Sequence, residues 1–76
     1  VWPQPADNVL SLSFNQEAGS GWRIVLSNVL GEKLRSESVA IGSTSHTLIT
    51  EDLLVGSYIL SLETPEARWG RMIILN

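Results

Sequence analysis

The chain has 76 residues, close to the lower limit at which a single domain buries enough surface to fold alone. Eight acidic side chains against five basic ones give a net charge of −3, and the one lysine and four arginines are scattered. Nucleic acid and anionic membrane surfaces are therefore poor partners on charge grounds. There is no cysteine, which excludes disulfides, thiolate metal sites and cysteine nucleophiles, and no apolar run approaches the roughly 18 residues of a membrane span. The start, Val1-Trp2-Pro3, lacks an initiator methionine, so the chain reads as one domain, residues 1–76, cut from a longer protein.

Strand signals recur at short spacing with turn residues between them, and helix signals are nearly absent. Val1 to Pro5 is expected to be extended, because its prolines restrict the backbone and cannot sit at a sheet centre. Val9 to Phe14 alternates, with Leu10, Leu12 and Phe14 on one face. Asn15 to Gly21 reads as a loop. Trp22, Ile24 and Leu26 share a face opposed to Arg23, Val25 and Ser27. Asn28 to Gly31 forms a turn in which Gly31 can adopt positive φ. Lys33 to Val39 is a polar strand of edge character. Gly42 to Ser45 is a loop, His46 to Thr50 a strand, and Glu51 to Gly56 a connector. Ser57 to Glu63 places Tyr58, Leu60 and Leu62 together, Thr64 to Ala67 turns at Pro65, and Arg71 to Leu75 closes the chain with an apolar run. Such a run suits a strand covered on both faces or one that docks onto something else. The pattern predicts an all-β fold, an immunoglobulin-like β-sandwich of about seven short, mainly antiparallel strands.

No catalytic constellation emerges. His46 is the single histidine and has no second ligand near it in sequence, so it reads as an ordinary strand residue rather than a base or metal ligand. Glu51 and Asp52 read as a solvated turn rather than a hydrolytic pair. No phosphate loop, nucleophile elbow or metal-ligand spacing is found. The expectation is a non-enzyme without cofactor or metal. Trp22 fits the core by its alternation with Ile24 and Leu26, whereas Trp2 and Trp69 lie near the two chain ends and are the possible ligand contacts.

The punctuation of the chain follows an order. It opens Trp2-Pro3-Gln4-Pro5-Ala6 and turns at Leu26-Ser27-Asn28-Val29-Leu30-Gly31. It then continues through Leu53-Leu54-Val55-Gly56-Ser57-Tyr58 and ends Arg71-Met72-Ile73-Ile74-Leu75-Asn76. In this order and spacing the chain resembles the type A C-terminal sorting domain of the type IX secretion system of Gram-negative bacteria. It departs from that pattern at Gln4, where asparagine is usual, and at Asn76, where many members carry a basic residue. The resemblance implies a secretion and sorting signal that directs an attached cargo through the periplasm and an outer-membrane translocon to the cell surface or the medium. Motif positions carried over are Pro3, Pro5, Ala6, Gly31, Leu53, Gly56, Tyr58, Arg71, Ile73 and Leu75, with recognition expected on Arg71 to Leu75 and on Gly56 to Tyr58. Implied partners are the translocon and its shuttle and sortase components, and a dimer through edge strands is an expectation of the exposed edges. Two other readings stay open. One is a retained surface module that binds anionic lipopolysaccharide or carbohydrate; the other is a passive immunoglobulin-like spacer.

Overall fold

The structure is a computed structural model. It describes residues 2–6 and 8–75 along the backbone, and the side chains of residue 3 and residues 8–75. Among the described residues the strands are β1 (Trp2–Ala6), β2 (Val9–Ser13), β3 (Arg23–Asn28), β4 (Lys33–Ser38), β5 (Ser45–Ile49), β6 (Gly56–Glu63) and β7 (Arg68–Leu75). They form two sheets, one of order β1-β2-β5 and the other of order β4-β3-β6-β7, and every pairing is antiparallel. The proline-bearing β1 sits at a sheet edge, where the missing amide hydrogens cost no ladder bond.

Alternation sets which side chains are buried. Leu10 and Leu12 of β2 and Leu48 of β5 face Ile24 and Leu26 of β3 and Leu60 of β6, and all six are at most 1% exposed. Trp22, Leu34, Leu53 and Trp69 close the margins of this core. A pure in–out reading fails at Val25 and Ser61, which lie on the outward face of the larger sheet, paired with each other, and are nonetheless buried. Both are on its two central strands. Arg23, two residues before Val25, donates to the Ser36 hydroxyl opposite that valine (2.7 Å), which carries its methylene stem over the row.

The terminal apolar run is covered on one face only. Ile73 and Leu75 are buried, whereas Met72 and Ile74 are exposed, which removes the option of a strand covered on both sides. The strand also begins three residues earlier than the apolar run, at Arg68.

The lateral openings between the sheets are treated differently. On one side β1 runs alongside β7. On the other, the inward-pointing charges of edge strand β4 reach across to β5. Arg35 donates to the Ile49 carbonyl oxygen (3.4 Å) and to the Asp52 carboxylate, and Glu37 meets His46 Nε2 at 2.9 Å. Charges aimed inward at an edge prevent it from pairing with another chain; here the same charges clasp the two sheets.

Candidate functional site

Three pieces of chain meet at one end of the sandwich: the β3–β4 turn, the β5–β6 corner and the end of β7. The registers Asn28↔Tyr58 and Gly56↔Leu75 bring them there. Asn28 organises the turn. Its side-chain oxygen accepts from the backbone N–H groups of Leu30 and Glu32, each at 3.0 Å, and its amide nitrogen donates to the Glu32 carboxylate at 2.8 Å. This is the local capping for which asparagine is selected in turns. Gly31 (φ +89°) and Gly56 (φ +148°) occupy backbone conformations that a β-carbon opposes.

The corner is built by Tyr58. Its ring is buried and its hydroxyl donates to the Leu54 carbonyl oxygen at 2.5 Å. The Leu53 amide donates to the Thr50 carbonyl (2.9 Å), and Leu53 itself packs against the core. With Leu53 turned in, Leu54 and Val55 turn out, 82% and 74% exposed; across the end Val29 and Leu30 are exposed too, Leu30 by 83%. Ile74 and Met72 are exposed on the outward face of β7. Large apolar side chains left exposed at one end of a domain are candidates for an interaction surface.

The predicted motif positions therefore divide by role. Gly31 and Gly56 shape turns, whereas Leu53, Tyr58, Ile73 and Leu75 point inward and fix the corner. Pro3 is half-buried and Arg71 is exposed. The side chains of Trp2, Pro5 and Ala6 lie outside the described residues. Sequence reasoning passed over the outward residues Val29, Leu30, Leu54 and Val55, although their signal was available as large apolar side chains placed in turns.

Residues 1–76 match the family described as the secretion system C-terminal sorting domain. The chain belongs to that family, the sorting domains of type IX secretion. No curated protein matches it. Membership makes the sorting domain a signal for type IX secretion, which implies export to the cell surface or the medium and interaction with the secretion machinery. The family is not a class of enzymes.

The remaining chemistry of the sorting domain is structural or lies elsewhere. His46, half-buried, is engaged by Glu37, and Asp52 by Arg35, whose guanidinium holds that carboxyl below its ordinary value through a side-chain hydrogen bond. Among the described residues no group of three or more potential metal ligands comes together. At the opposite end of the sandwich the structure brings together two tryptophans from separate elements, Trp22 just before β3 and Trp69 in β7, over a cleft of about 570 Å³.

Proposed function

We propose that the domain is a C-terminal signal whose inward motif residues build a rigid end and whose outward residues are read by the outer-membrane translocon, so that an attached cargo is carried to the cell surface or released. The observation that carries this reading is the split at the β5–β6 corner: Tyr58 is buried and Leu53 is half-buried against the core, which holds the corner, while Leu54, Val55 and Leu30 are presented to solvent. A buried anchor flanked by exposed apolar side chains on stiff turns loses little conformational entropy on binding.

The last strand supplies the second element of recognition. β7 is the last strand of its sheet, with β1 alongside it, and exposes Met72 and Ile74 on its outward face, so a translocon component can dock on that face, or add a strand at the edge if β1 is displaced, with side chains giving specificity. We further read the two sheets as an immunoglobulin-like sandwich. Two features support this: the order β1-β2-β5 opposite β4-β3-β6-β7, with the strand that would extend the smaller sheet moved to the larger, and the tyrosine near the start of β6 that bonds back to the corner preceding it.

The test is export of a periplasmic fluorescent reporter carrying this chain at its C-terminus, in a host with type IX machinery and in one without it. The reading requires surface or medium fluorescence only in the competent host, and its loss with the double change Leu30→Ser, Leu54→Ser. Export undiminished by that change would remove the apolar end from the recognition surface. Reporter retained in the periplasm of both hosts would leave a spacer as the better account.

A further inference from the structure

We propose that the cleft between Trp22 and Trp69 is a binding site for a saccharide. It lies at the end of the sandwich opposite the Gly31 and Gly56 turns, and the proposal does not depend on the sorting mechanism. Its floor is apolar and aromatic, made by Phe14, Trp22, Leu62 and Trp69; its rim is polar, made chiefly by Asn15, Gln16, Glu66 and Arg68. A volume of about 570 Å³ falls within the roughly 300–1,000 Å³ of small-molecule clefts, which combine such a floor with a few polar groups that orient the ligand.

The walls are tied in place. The β6–β7 turn closes on itself, with the Thr64 backbone N–H donating to the Ala67 carbonyl (2.8 Å) and the Thr64 hydroxyl accepting from the Ala67 amide (3.0 Å). The facing β2–β3 loop is pinned at both sides. The Ala18 amide donates to the Ser43 carbonyl (2.8 Å), the Ala18 carbonyl accepts from the Gly42 amide (2.7 Å), and the Trp22 carbonyl accepts from the Val39 amide (3.0 Å). A β-carbon on Gly21 would stand 3.0 Å from the Pro65 ring, so the two loops touch. Trp22 is further held by an edge-to-face contact with Phe14, ring centroids 5.6 Å apart and planes at 81°. The site is therefore formed before any ligand arrives.

Its chemistry selects the ligand class. The rim offers hydrogen bonds of every kind: Asn15 and Gln16 both donate and accept, Glu66 only accepts, Arg68 only donates. A sugar ring carries an apolar C–H face suited to indole and a girdle of hydroxyls that likewise donate and accept. A lipid chain would strip water from four polar groups and pair none of them, which is unfavourable for each. A phosphate polymer would meet Glu66 beside a single arginine that already approaches Glu63 at 3.6 Å. A proline-rich peptide could use the aromatic floor but would leave the opposed charges of Glu66 and Arg68 unused.

The experiment is a titration of the 76-residue chain with cellohexaose, maltohexaose and chitohexaose, and separately with a decaproline peptide, following the indole N–H resonances of the three tryptophans. The proposal expects the Trp22 and Trp69 resonances to move with at least one saccharide, with affinity falling about tenfold in Trp69→Ala. Because Trp69 also packs on the core, the paired changes Glu66→Gln and Gln16→Ala, both on the exposed rim, should weaken binding several-fold in a chain of unchanged thermal midpoint. Absence of movement with every saccharide up to about 10 mM overturns the proposal. So do movement with decaproline alone and saccharide binding indifferent to both sets of changes.

Discussion

At the scale of single residues, two positions bear on the corner and turn differently. The Tyr58 hydroxyl donates to the Leu54 carbonyl, and the ring contributes to the core independently of that bond. Tyr58→Phe keeps the ring and removes the bond, so it should cost about 0.5–1.5 kcal/mol, the net value of one intramolecular hydrogen bond. In urea unfolding the midpoint should fall with an unchanged slope, since no surface is newly exposed. Gly31 has positive φ and open space where a β-carbon would stand. Gly31→Ala should therefore cost only the backbone penalty, about 1–2 kcal/mol, and the same denaturation experiment should show it. A much larger loss would mean that the turn is packed against something. Asn8, also at positive φ (68°), belongs with these; asparagine is among the few side chains that tolerate that region, and it sits in the short connection from Ala6 to Val9 that a two-residue hairpin demands.

At the scale of elements, β7 separates fold from function within neighbouring positions. Ile73 is 7% exposed and Ile74 61% exposed. Ile73→Ala should cost about 2–5 kcal/mol, as buried truncations do, a large share of the stability of a domain held by roughly 0.05–0.15 kcal/mol per residue. Ile74→Thr keeps β-branching and should shift stability by no more than about 0.5 kcal/mol, yet it should lower export of a fused reporter if the outward face of β7 is read. Unfolding and export measured on both variants check this, and a normally exported Ile74→Thr protein would confine recognition to the turns. The strands were legible from sequence because side-chain alternation and burial coincide along most of them: Leu10 with Leu12, Ile24 with Leu26, and Tyr58 with Leu60 and Leu62 all face the core as their spacing predicts. The reading weakened where burial came from lateral neighbours rather than from the opposite sheet. Val25 and Ser61 lie between flanking strands in the middle of the larger sheet, and the Arg23 side chain reaches past Val25 to Ser36, which alternation cannot register. The one-sided cover of β7 was equally illegible, since period-two patterning is lost in a run where both faces are apolar.

At the scale of the whole molecule, what the sequence could not convey is which distant residues meet. Trp22 read as core and Trp69 as surface, yet both flank one cleft; the ordering of strands places them together, and nothing in local pattern encodes it. The same holds for the clasp between sheets. Arg35 and Asp52 are 17 positions apart, and Glu51-Asp52 read as a solvated turn, as its exposure agrees; the partner was not legible. That partner gives the fold a pH dependence. The Arg35 hydrogen bond lowers the Asp52 pKa in the folded chain, while the unfolded carboxyl titrates near its ordinary value. The unfolded chain thus takes up the proton first as pH falls, so the contribution of the pair is complete above about pH 4 and drains away as pH drops through the lowered folded value. Asp52→Asn removes this titration and leaves every other carboxylate in place, so subtraction isolates it. The stability difference between the two proteins, measured by urea unfolding, should be constant from about pH 7 to pH 5 and shrink below about pH 4. It should also diminish in molar salt, because the carboxylate is exposed and its interaction is screened. A difference that persists unchanged at the acid end would show that Asp52 stabilises the β4–β5 edge through its shape or backbone rather than through its charge, and the clasp would then rest on the Arg35 bond to the Ile49 carbonyl and on His46 with Glu37.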